Sequence, residues 1–67
     1  MMSNMIIEIV KDKKGYTFFK HINGRRIHED ECNNRMLFAT MERITRYYNN
    51  APDKIDVVFV IGEEKAR

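Results

Sequence analysis

The residues best suited to chemistry lie together in the segment His28-Glu29-Asp30-Glu31-Cys32. Imidazole and thiolate groups are good zinc ligands, and His28 and Cys32 would share one face of a helix that began as early as His28. His21 could approach them from a neighbouring strand. A structural zinc site needs four ligands, however, and the chain has no paired Cys and His motif elsewhere. The sequence therefore favours acidic residues near a helix N-terminus and Cys32 packed as a small apolar residue, with no metal.

Cys32 could instead act as a nucleophile with His21 or His28 as its base, if an imidazole lay within hydrogen-bond distance and a third group oriented it. The sequence has no glycine-rich phosphate loop, no nucleophile elbow and no isolated carboxylate pair. A chain of 67 residues also has little volume for a water-excluding pocket. We therefore predict a protein that is not an enzyme and that uses no cofactor.

Length and composition predict one small soluble domain, 1–67, with an ordered core from about 4 to 62 and frayed ends, Met1–Ser3 and Glu63–Arg67. The segment Met1–Val10 resembles neither a secretory signal nor a transit peptide, and no stretch approaches the roughly 20 apolar residues of a membrane span. We expect a cytoplasmic protein with no membrane association. Because Cys32 is the only cysteine, an internal disulfide is excluded, and oligomerisation is the expected supplement to a thin core.

The first half of the chain predicts a hairpin. Met5 to Lys11 and Tyr16 to Ile22 are rich in β-branched and aromatic residues, and turn-forming residues separate them. A register with Lys11 opposite Tyr16 places Ile9 opposite Phe18. Asn23-Gly24 then favours a second tight turn and a short third strand, Arg25 to His28; the alternative is a loop that leads directly into a helix.

The second half predicts one helix and one strand. From about Asp30 to Asn49 the apolar residues follow helical spacing, with Leu37, Met41, Ile44 and Tyr48 as the stripe that faces the sheet. Ile55 to Ile61 is apolar apart from Asp56, a composition that suits a central or doubly covered strand. The predicted fold class is α+β: a small hairpin-containing sheet of three or four strands, in the order β-β-(β)-α-β, with one long helix on one face.

The strands are apolar on both faces, whereas a single helix covers only one. The helix-facing set is Met5, Ile7, Ile9, Tyr16, Phe18, Ile22, Ile55, Val57, Phe59 and Ile61. The second set is Ile6, Val10, Phe19, Val58 and Val60. We predict that this second set is a protein interface, most simply that of a homodimer, in a small interaction or accessory protein; the alternative occupant is a different protein.

A nucleic-acid-binding module is the alternative function. Its binding residues would be Lys13, Lys14, Phe19, Lys20, Arg25 and Arg26, with the basic groups on phosphates and Phe19 stacked on a base. The net charge of only +2 and the acidic residues Glu8 and Asp56 on the same face weigh against this alternative and favour basic residues that are simply solvated.

Overall fold

A computed structural model describes residues 3–50 and 52–62. The elements in chain order are β1 (Asn4–Lys11), β2 (Gly15–Ile22), β3 (Arg25–Asn33), a 3-10 turn (Asn34–Met36), α1 (Leu37–Asn49) and β4 (Asp56–Gly62). The strands form one mixed sheet in the order β3-β2-β1-β4, and α1 packs on one face of it. The predicted α+β class and element order are confirmed. The frayed ends that we predicted lie, apart from Ser3, outside the described residues.

Both predicted hairpins form. The β1–β2 register has Lys11 opposite Tyr16 and Ile9 opposite Phe18, as expected. Asn23 and Gly24 have φ values of 52° and 76°, the positive values that a tight two-residue turn requires. The alternative of a loop leading directly into a helix is therefore wrong, because β3 follows this turn and pairs with β2.

The predicted helix start at about Asp30 is wrong. Strand β3 continues past His28 to Asn33, because β2 offers pairing partners as far as Gly15. The Asn33 side chain then accepts hydrogen bonds from the backbone N–H groups of Arg35 and Met36, at 3.0 and 3.1 Å, and so caps the 3-10 turn that leads into α1. The acidic residues 29–31 therefore belong to a strand and do not act on the helix dipole.

The core lies between α1 and the sheet. Its buried residues are Ile7, Ile9, Phe18 and Ile44. The predicted helix stripe is confirmed, since Leu37, Met41 and Tyr48 pack against this cluster, as does Cys32 from β3. Among the described residues, no helix combines the length and the apolar character needed to cross a membrane.

A bulge in β3 links the helix to this edge of the sheet. Phe18 pairs with Asp30 and Phe19 with His28, so Glu29 is the extra residue. The Tyr48 hydroxyl donates to Glu29 at 3.0 Å. Burial, reinforced by the Glu29 carboxylate, raises the pKa of Tyr48 to about 12, so the phenol stays protonated and remains a donor at neutral pH.

Strand β4 is at the edge of the sheet, so the central or doubly covered position that we predicted for it is wrong. Among the described strands, it pairs with β1 alone, in parallel. Ile61, predicted to lie beneath the helix, is 81% exposed. The reason is topological: the chain returns to the sheet beside β1, on the side away from β2, and no later described strand covers β4.

Replacing Gly15 with alanine should destabilise the fold severely. Gly15 has a φ of 156°, and a Cβ at this position would collide with the backbone carbonyl of Cys32 and the Cα of Asn33. Backbone atoms on the paired strand cannot move aside cheaply, so we expect a loss of about 2 kcal/mol or more, measured by thermal unfolding.

Gly24 provides the matched control. Its φ of 76° also disfavours alanine, but the space around its missing Cβ is open. Gly24→Ala should therefore cost only about 1 kcal/mol. Equal losses for the two variants would contradict the close contact between β2 and β3 at Gly15.

Candidate interaction surface

The face of the sheet opposite α1, here called the open face, contains all the predicted interface residues. They are Ile6 and Val10 on β1, Phe19 on β2, and Val58 and Val60 on β4. Adjacent strands place Ile6 opposite Val58, and Glu8 opposite both Phe19 and Val60. The open face is therefore continuous across β1, β2 and β4, and its two halves differ in character.

The apolar half of the open face is formed by Ile6, Val58 and Val60. These side chains are 44%, 44% and 40% exposed, respectively. They are neighbours, because Val58 lies directly opposite Ile6 and Val60 follows two residues later on the same face of β4. A contiguous apolar patch at the edge of a small sheet is typical of a protein contact.

Val10 and Phe19 are less available than the sequence suggested. Val10 is already buried within the single chain. The guanidinium of Arg26 lies 3.8 Å from the centre of the Phe19 ring, and the His28 ring meets the same ring edge-on at 6.1 Å. Phe19 is thus partly covered by its own chain, in a cation–π contact.

The polar half of the open face is organised around Glu8. Its Oε1 atom accepts hydrogen bonds from Arg26 Nε at 2.9 Å and from His21 Nε2 at 3.0 Å. The Arg26 hydrogen bond, followed by that of His21, lowers the pKa of Glu8, since both favour the ionised carboxylate. An ionised carboxylate only accepts hydrogen bonds, so Nε2 of His21 is the donor in this contact.

The other side of the Glu8 carboxylate lies against the end of β4. A Cβ on Gly62 would overlap the Glu8 side chain, so only glycine leaves room for the carboxylate there. Glu8 is consequently enclosed by β4 on one side and by Arg26 and His21 on the other. These contacts explain why it is only 17% exposed, on a face that α1 does not cover. The Glu8 carboxylate therefore fills the space between the end of β4 and the side chains of Arg26 and His21.

The structure does not bring His28 and Cys32 together, as the zinc and thiol hypotheses require. Because of the β3 bulge, His28 pairs with Phe19 on the open face, whereas Cys32 pairs with Tyr16 on the helix face. The sheet therefore separates the two side chains. Across residues 3–50 and 52–62, no group of three or more His, Cys, Asp or Glu side chains is arranged to hold a metal ion.

The basic residues of the nucleic-acid alternative do not form one patch. Lys13 and Lys14 lie in the β1–β2 turn, while Arg25 and Arg26 begin β3 at the opposite end of the hairpin. Lys20 Nζ lies on the helix side, 3.8 Å from Glu29. Arg26 is engaged by Glu8.

Sequence reasoning missed the Glu8, His21 and Arg26 cluster. The predicted hairpin register already placed Glu8 opposite Phe19, and a charged residue in the middle of a β-branched strand was a signal. The sequence could not predict the third member of the cluster, Arg26. Arg26 reaches across β2 to a carboxylate on β1, and that contact depends on the register of both hairpins together.

Neither a protein-family model, nor a curated protein, nor a solved structure matches this chain. The function is therefore inferred from the surface of the molecule itself.

Glu8→Gln should lower the free energy of unfolding at neutral pH. It should also make that free energy less sensitive to a fall in pH. Because the pKa of Glu8 is lower in the folded chain than its ordinary value of 4.5, its contribution is fully present above that value and disappears as the pH falls through the folded pKa. We expect a loss of about 1 kcal/mol near pH 7 that shrinks toward zero in acid, measured by urea unfolding from about pH 7 to pH 3.

Glu42→Gln is the matched control for this measurement. Glu42 also pairs with an arginine, Arg46 at 2.8 Å, but both side chains are 69% exposed. An exposed pair on one helix contributes only a few tenths of a kcal/mol. If Glu8→Gln and Glu42→Gln lost the same stability at every pH, the structural role of Glu8 would be refuted.

Proposed function

We propose that this protein is a non-enzymatic interaction module that acts by protein–protein association and that it forms a homodimer through its β4 side. The observation that carries the proposal is the cluster of Ile6, Val58 and Val60, exposed side by side on a sheet face that the single helix leaves uncovered. Self-association on the β4 side would remove part of this apolar area from water, at Val58 and Val60.

The rest of the open face supports this location for the contact. The hydrogen-bonded Glu8 cluster extends from β1 over β2 to β3, and burying its charged groups against another chain would be costly unless each stayed paired. The β4 side has no such cost at Val58 and Val60. Burial of apolar area contributes roughly 25 cal/mol per Å², so the contact favours the apolar half.

The small size of the chain supports a partner of some kind. A chain of 67 residues buries a modest fraction of its surface, and self-association adds core that one copy lacks. A second copy is the simplest partner, since it presents the same apolar strand at the same concentration. The nucleic-acid alternative has weaker support, because its basic residues are divided between the two ends of the sheet.

The association is tested by molar mass, measured by light scattering over a concentration series at low and high salt. We expect a dimer of twice the 8.0 kDa chain mass. An apolar contact hardly responds to ionic strength, so the dimer should persist in high salt. Val60→Lys should raise the dissociation constant at least tenfold, because it places a charge within the contact.

Ile27→Lys is the matched control. Ile27 is 39% exposed, close to the 40% of Val60, but it lies on β3 at the opposite edge of the sheet. This variant should dimerise like the wild type. A wild-type chain that remained monomeric at every concentration would refute the homodimer and leave the apolar half for a different protein.

A further inference from the structure

We infer that two copies pair through the outer edge of β4, antiparallel and in a register that places Phe59 opposite Phe59 of the partner subunit. This inference rests on the proposed self-association and specifies its geometry. The two sheets would become one continuous sheet with both helices on the same face.

The two edge strands of this sheet differ sharply in how they are protected. Edge strand β3 has the sequence RRIHEDECN, with charged groups along most of its length and a bulge at Glu29. Charges and bulges are the usual means of preventing strand addition. Edge strand β4, DVVFVIG, is uncharged from Val57 to Gly62 and contains neither lysine nor proline. Over these residues the strand thus has none of these protective features, and its residues resemble those of an interior strand.

The sequence of β4 is complementary to itself in one register. With Phe59 at the twofold axis, Val58 faces Val60 of the partner subunit on the open face, and Val57 faces Ile61 of the partner subunit on the helix face. Every residue from 56 to 62 is then paired, and Asp56, the only charged residue, falls at the end opposite a glycine. Shifting the axis to Val58 would place Asp56 opposite Val60, a poorer match.

Ile61 distinguishes edge pairing from a face-to-face dimer. It is 81% exposed, more than any other large apolar residue of the described chain, and it alternates with Val58 and Val60, so it lies on the helix side of β4. A dimer that stacked two open faces would cover Val58 and Val60 but leave Ile61 in water. Pairing along the edge brings a partner strand beside all three.

The end of the strand is compatible with this pairing. Asp56 already accepts a hydrogen bond from the Asn49 side chain at 3.1 Å, so its carboxylate has a partner within its own chain. At the other end, the Glu8 carboxylate that lies against Gly62 is paired with Arg26 and His21. The two carboxylates at the ends of this register therefore already accept hydrogen bonds from their own chain.

A charge exchange between positions 58 and 60 tests the register. In Val58→Lys/Val60→Glu, each lysine would lie directly opposite a glutamate of the partner subunit. In Val58→Lys/Val60→Lys, lysine would lie opposite lysine twice. Both positions are exposed to water in the single chain, so both variants should fold, which circular dichroism checks.

We expect the Lys/Glu variant to dimerise at least tenfold more tightly than the Lys/Lys variant at low salt, because opposite charges stabilise a cross-strand pair and like charges destabilise it. The difference should shrink in high salt, where the Debye length falls from about 10 Å at 0.1 M to about 3 Å at 1 M. Equal dissociation constants for the two variants at low salt would overturn the register.

Two single variants test edge pairing without depending on that register. Ile61→Lys should weaken the dimer at least tenfold, because residue 61 lies on the paired strand. Ile6→Lys should dimerise like the wild type, because β4 separates Ile6 from the partner by about two strand spacings, roughly 10 Å. The reverse result, with Ile6→Lys disruptive and Ile61→Lys neutral, would establish a face-to-face dimer, refuting edge pairing while preserving the proposed function. A monomeric wild type would refute both.

Discussion

One helix can cover only one face of a four-stranded sheet, and the rest of this molecule follows from that limit. The covered face holds the core, where Ile44 of α1 packs on Ile7, Ile9 and Phe18 of the two central strands. Each of these two strands is hydrogen-bonded to a neighbouring strand on both sides. The uncovered face does not pack against the helix, and each edge strand has one neighbour among the described strands, so other contacts must stabilise these parts.

The chain deals with its uncovered face in two ways. Over β2 and β3, Arg26 lies across the Phe19 ring and binds Glu8, so a polar layer shields the aromatic residue and satisfies the carboxylate. Over β1 and β4, the described residues form no comparable layer on Val58 and Val60, which are exposed. This asymmetry supports the proposal that association occurs on the β4 side of the molecule. The protected edge, β3, and the unprotected edge, β4, show the same asymmetry.

Local signals in the sequence were sufficient for the hairpins and the helix stripe. Asn23-Gly24 specifies its turn through backbone conformations that few other residues tolerate, and Leu37, Met41 and Ile44 recur at the helical period. The helix start was missed because residues 29–31 suit a first helical turn as well as a charged edge strand. Asn33, a good N-cap residue, was the signal that could have located it. Pairing with β2 decided between the two conformations.

The sequence by itself determined the order of strands and helix along the chain, the register of the first hairpin and the excess of apolar residues on a second face. These properties depend on side-chain periodicity and turn chemistry, which are local. Only the tertiary structure decided that β4 lies at an edge beside β1, that Arg26 reaches Glu8 across β2, and that His28 and Cys32 lie on opposite faces. Each of these depends on contacts between residues distant in the chain, and strand order and a single bulge fix them together.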